Sequence, residues 1–125
     1  MRVLLVEPEK APVIAKIDDT LEAMQKVVGG YIEVVYPFDD HVALVCNEEG
    51  KLSGLPLNRA LYAENGEVYD IIAGTFFLCG APVDSEHFKS LTCRQIRKFT
   101  KRFAFPEMFV QTDSGIDVVS FSLSK

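Results

Sequence analysis

Apolar residues recur along the chain at two spacings, about two and about 3.6 residues, and the alternation between them predicts the elements. Val3 to Val6 form a β-rich run that Pro8 ends, and Val13 to Ile17 follow a proline-containing turn, so the two segments read as a hairpin. Leu21, Met24 and Val28 then share one helical face. Asp19 is placed to cap that helix, with Glu22 three residues later, and Gly29-Gly30 closes it. Tyr31–Tyr36 and His41–Cys46 read as two strands joined by the short link Pro37–Asp40, which favours antiparallel pairing. Asn47–Gly50 is a turn, and Leu52–Leu57, broken by Gly54 and Pro56, reads as a loop.

Order returns at Asn58–Tyr62. Asn65-Gly66 supplies a hairpin-type turn, and Val68–Cys79, the most apolar segment, is expected to run through the middle of a sheet. Asp84–Phe88 reads as a short helical turn. Thr92 and Gln95 offer a capping box for a helix running to about Ala104, which Phe105-Pro106 ends. Asp113-Ser114-Gly115 reads as a turn between Met108–Gln111 and one last strand, Ile116–Leu123. The pattern predicts an α+β fold: one mostly antiparallel sheet of about five to six strands packed by two main helices, about 19–29 and 92–104, in a single domain over 1–125.

Composition adds bounds. A chain of 125 residues with 48% hydrophobic and 25% charged residues can build one core without staples and has no signature of disorder. Apolar runs such as Ile71–Cys79 are too short to cross a bilayer, and Met1-Arg2 leads into a strand without a signal-peptide pattern, so a cytoplasmic location is expected. Cys46, Cys79 and Cys93 cannot all pair within one chain, and none lies in a C-x-x-C arrangement. Reduced, structural thiols are expected. His41 and His87 lie far apart in sequence and without zinc-ligand spacing, so neither a metal nor a cofactor is expected.

Two places carry candidate chemistry. The first is Asn58-Arg59, after the Gly/Pro-broken loop and expected near Gly74-Thr75. An arginine fork suits a carboxylate or phosphate, an asparagine amide can read a base or amide edge, and Gly74 lets a ligand approach backbone. The competing structural reading makes Asn58 a cap for the next element and pairs Arg59 with Asp70 or a neighbouring carboxylate. The second is the helix at 92–104, where Ile96, Phe99 and Phe103 share one face while Arg94, Arg97, Lys98, Lys101 and Arg102 fan across the other. Ser90–Ala104 carries five basic and no acidic residues, against 8 basic and 18 acidic elsewhere: +5 on this segment, −10 on the rest. Such a stripe suits a protein partner or is simply a solvated face. A sequence pI near 5.0 disfavours nucleic acid.

Catalytic signals are thinner. Cys79 with His87 would make a nucleophile–base pair only if folding joined them, and Asp39-Asp40-His41 and Glu48-Glu49 lie at turns where acidic residues are common. There is no phosphate-binding loop, G-x-S-x-G or H-E-x-x-H.

VGGYIEVVYPFDD, VALVCNEEGKLSGLPLNRAL, YDIIAGTFFLCG and SLTCRQIRKFTKRF with PEMF together resemble the family catalogued as domain of unknown function 3846. The resemblance covers essentially the whole chain and implies a setting in Gram-positive bacteria, their phages and mobile elements. It implies no catalytic residue. Two functional expectations follow. One is a non-enzymatic binding or adaptor module, with an accessory or anti-defence role, acting through Asn58-Arg59 or the basic helix, as monomer or homodimer. The other is a small enzyme acting on a nucleotide or other anionic metabolite, with Arg59 as anion clamp and His41 or a carboxylate as base.

Overall fold

The structure, a computed structural model, describes residues 1–120. Its main sheet has five antiparallel strands in the order β2-β1-β7-β4-β3: β1 (Arg2–Val6), β2 (Val13–Lys16), β3 (Ile32–Val35), β4 (Val42–Asn47) and β7 (Phe76–Gly80). Two further antiparallel hairpins stand beside it, β5–β6 (Leu57–Tyr62, Val68–Ala73) and β8–β9 (Glu107–Thr112, Gly115–Ser120). The helices are α1 (Leu21–Val28) and α2 (Cys93–Arg102). The fold is therefore α+β with a mostly antiparallel sheet.

Both faces of the main sheet are covered, which is why β4 and β7 read as continuous apolar runs rather than alternating ones. One face, with Val3, Ala43, Val45, Phe77 and Cys79, packs against Met24 and Val28 of α1. The opposite face, with Leu4, Val6, Leu44, Phe76 and Leu78, packs against Leu61 and Ile72 of the β5–β6 hairpin and against Phe99 of α2 and its C-cap Phe103. The period of two along each strand thus sorts side chains between two cores, and truncating a fully buried phenylalanine such as Phe99 costs about 3–5 kcal/mol.

Local chemistry sets the boundaries. The cap of α1 is Thr20 rather than Asp19: its Oγ1 accepts the Ala23 N–H at 3.1 Å, and the helix closes where Gly29 N–H donates to Gln25 O. The capping box of α2 forms as its sequence predicts, with Gln95 N–H donating to Thr92 Oγ1 at 3.1 Å and Thr92 N–H to Gln95 Oε1 at 2.9 Å. Val68–Cys79 is not one strand. Gly74 sits at φ +82 and breaks it, so that β6 pairs with β5 while β7 takes the centre of the main sheet. A Cβ at Gly74 would also lie 2.7 Å from Leu55 Cδ1. Asp84–Phe88 makes turns and bends instead of a helical turn, and Leu57 belongs to β5 rather than to the preceding loop. Of the strand expected at Ile116–Leu123, the part beyond Ser120 lies outside the described residues.

The three cysteines are free. Burial, with the nearby Glu33 and Asp70 carboxylates, pushes the Cys46 thiol up to about 11, and burial pushes Cys79 up to about 12. Cys93 is exposed. A disulfide-exchange reagent at neutral pH is therefore expected to titrate one thiol quickly in the native protein and the other two only on unfolding. Substituting Cys93→Ser is expected to abolish the fast phase, and a fast phase that survives it would contradict this packing.

Candidate functional site

Asn58 and Arg59 follow Leu57 at the start of β5 and are both fully buried. The Asn58 amide donates to Val6 O and to Gly74 O, each at 2.9 Å, and its Oδ1 accepts from Arg59 Nη1 at 2.8 Å. The Arg59 fork reaches in three directions. Nε and Nη2 donate to Phe103 O at 3.3 and 3.0 Å, Nη2 also donates to Lys10 O at 2.6 Å, and Nη1 adds a bond to Asn58 O at 3.3 Å. Phe103 caps the C-terminus of α2, where carbonyls lack helical partners and the dipole is negative, so a cation there is favourable. Lys10 lies in the β1–β2 turn beside Glu9, whose φ of +66 is a left-handed conformation that costs a non-glycine residue about 1–2 kcal/mol.

This geometry departs from both expectations for the pair. Asn58, Gly74 and Arg59 do come together, but around the protein's own carbonyls: the Asn58 amide nitrogen and all three Arg59 nitrogens are bonded internally. Gly74 is engaged too, its N–H donating to Pro56 O at 2.7 Å, and Thr75 is a half-buried link between β6 and β7. Nor does Arg59 pair with Asp70, which accepts from Lys51 Nζ at 2.6 Å and from the Ile71 N–H at 2.8 Å. Among the described residues Arg59 has no ion-pair partner within 4.0 Å. Burial lowers its pKa, and the Glu107 carboxylate acts in the opposite sense.

The consequence lies on α2. Arg59 grips the helix at its end, while Phe99 and Phe103 hold its inner face, Phe38 stacking 4.6 Å from Phe99 and Phe76 lying edge-on at 5.5 Å from Phe103. The outer face is left to Arg94, Arg97, Lys98, Lys101 and Arg102, all exposed. Two of these are engaged: Lys98 Nζ pairs with Asp40 Oδ1 at 2.6 Å, and the Arg102 guanidinium lies 5.2 Å above the Phe38 ring. Arg94, Arg97 and Lys101 have no ion pair among the described residues.

The register of the main sheet assembles a further region that linear spacing concealed. Val42 faces Gly80, and Ala81 N–H donates to His41 O at 2.8 Å, so the β3–β4 link and the segment after β7 lie side by side. His41 and His87, 46 positions apart in sequence, consequently line one cleft of about 470 Å³. Cys79 does not join them; it is fully buried in the core on the α1 side. Among the described residues no three His, Cys, Asp or Glu side chains converge as a metal centre, and no helix is long and apolar enough to cross a membrane.

These features define a small α+β protein whose helix presents a basic surface and whose most conspicuous polar pair is internal. A family model for a domain of unknown function (DUF3846) matches residues 1–104, and the chain belongs to that family. No curated protein and no solved structure matches it. The β8–β9 hairpin lies beyond the matched residues, yet it is tied to them through Glu107, whose Oε1 accepts the Ala60 N–H at 2.8 Å.

Burial raises the Glu107 pKa, the Ala60 N–H and Arg59 opposing only part of the effect. With the folded value above the ordinary 4.5, the native state binds the extra proton, and Glu107 makes stability fall as pH rises from 4.5 through the raised value. Glu107→Gln keeps an oxygen for the Ala60 N–H but cannot ionise. Denaturant melts of the two proteins across this interval are expected to show the variant gaining stability relative to wild type as pH rises. Parallel curves, or a relative gain by wild type, would contradict the assignment.

Proposed function

We propose that this chain is a non-enzymatic binding module that docks an acidic protein surface on the outer face of α2, in the phage or mobile-element setting that its family resemblance implies. The observation that carries this reading is the set Arg94, Arg97 and Lys101: three exposed cations without ion-pair partners among the described residues, on a helix fixed from behind. Long side chains on a rigid backbone lose less freedom on docking than the same charges on a loop. Asn58 and Arg59 support this surface from within. The catalytic alternative draws less support from the same geometry, because Arg59, its anion clamp, is enclosed by carbonyls.

The net charge of −5 repels an acidic protein and a nucleic acid alike at long range and leaves short-range complementarity at α2 as the discriminating force. Fluorescence anisotropy with a labelled Asp/Glu-rich peptide and a labelled oligonucleotide of equal charge tests the choice. Wild type is expected to bind the peptide in a salt-sensitive manner, and Arg97→Glu/Lys101→Glu to weaken it about tenfold or more, since each lost exposed contact contributes about 0.2–1 kcal/mol and each reversal adds repulsion. Equal peptide binding by the two proteins, or a preference for the oligonucleotide, would overturn the proposal.

A further inference from the structure

The cleft that holds both histidines adjoins a second one. The first, about 470 Å³, is walled by Tyr36, Phe38, His41, Pro82 and His87, with the carboxylates of Asp39 and Glu86 also lining it. The second, about 580 Å³, lies toward the start of α2 and includes Arg94, Gln95 and Lys98. Asp40 and His41 line both, so the two form neighbouring halves of one concave surface. Each half is within the size range of small-molecule sites, about 300–1,000 Å³.

The halves differ in chemistry. Of the rings lining the first, Phe38 is held against Phe99 and Arg102, whereas Tyr36 is 61% exposed and therefore open to contact, with the imidazoles of His41 and His87 in the same lining. The carboxylates of Asp39 and Glu86 present acceptor oxygens, which suit the amino edge of a ring and repel an anion. In the second half Lys98 already neutralises Asp40 at 2.6 Å, which leaves Arg94 as a cation without an ion pair among the described residues. A planar fork of this kind binds phosphate well.

We propose that this double cleft binds a mononucleotide whose base carries an exocyclic amino group. The base lies against Tyr36 and His87 with its amino group toward Asp39 or Glu86; the phosphate lies toward Arg94, and the sugar passes His41. Binding is the whole of the assignment, with no bond made or broken. Arg94 is common to this site and to the docking face, but Arg97 and Lys101 line neither cleft, so substitutions there separate the two.

The test is an amide-resolved NMR titration of the full chain with AMP, adenosine, ribose 5-phosphate and inorganic phosphate. AMP is expected to give saturable shifts confined to residues 36–41, 81–88 and 92–95, with adenosine and phosphate each at least about tenfold weaker, since each supplies one half of the contacts. Tyr36→Ala and Arg94→Ala are each expected to weaken AMP about tenfold, while the neutral pair Arg97→Gln/Lys101→Gln, which places no carboxylate beside Arg94, leaves it within about twofold. Both single substitutions are at exposed positions, and a native-like spectrum of each variant verifies its fold; should Tyr36→Ala lose it, Tyr36→Leu, which keeps bulk but not the ring, takes its place. Absence of saturable shifts with AMP, equal affinity for inorganic phosphate, or loss of AMP binding in the Arg97/Lys101 variant would each overturn the proposal.

Discussion

Burying a guanidinium costs several kcal/mol unless its donors are met, and Arg59 is buried completely. Its five hydrogen bonds, to Phe103 O, Lys10 O and the Asn58 side chain and carbonyl, meet that requirement without a carboxylate in contact. Carbonyl dipoles satisfy donors at less desolvation cost than a second buried charge, and one of these carbonyls ends α2, where the helix dipole adds to the attraction. Asn58 extends the network to Val6 and Gly74. One dipeptide therefore ties the end of β1, the β1–β2 turn, the break between β6 and β7, and the C-terminus of α2.

The rest of the arrangement depends on that tie. A ten-residue helix with two inward apolar positions, Ile96 and Phe99, and an apolar cap, Phe103, has limited burial of its own, and isolated helices of that length are marginal in water. Phe38, Phe76, Phe99 and Phe103 pack it sideways, the capping box fixes its start, and Arg59 fixes its end. A basic face on a helix held at both ends is a surface of defined shape, and the proposed function uses that property. The neighbouring double cleft draws its Arg94 from the same helix and its rings from loops brought together by the β4–β7 register.

Much of this was legible in the sequence where local chemistry decides the outcome. The Thr92–Gln95 box, the inward Ile96, Phe99 and Phe103, the exposed cations and the antiparallel β3–β4 pair all follow from spacing alone. What spacing missed was decided by tertiary contacts. Val68–Cys79 reads as one strand because apolar content does not record a left-handed glycine; Gly74 was its only local sign. Thr20 displaced Asp19 as the cap by a single position, both residues being good caps. The pairing of Arg59 with Asp70 failed because Lys51 already occupies Asp70, and carbonyl partners leave no trace in side-chain patterning. His41 and His87 came together through a register that no linear motif encodes.

Native-state amide hydrogen exchange of wild type and Arg59→Met shows whether Arg59 holds the end of α2 against the sheet. Methionine retains apolar bulk but strands the Phe103 and Lys10 carbonyls, a loss of about 3 kcal/mol concentrated at that end. If Arg59 does hold that end, amides of the last turn, such as Phe103 N–H bonded to Phe99 O, lose at least about tenfold more protection than those of β4 and β7. Equal loss across helix and sheet, or unchanged protection in that turn, would contradict it.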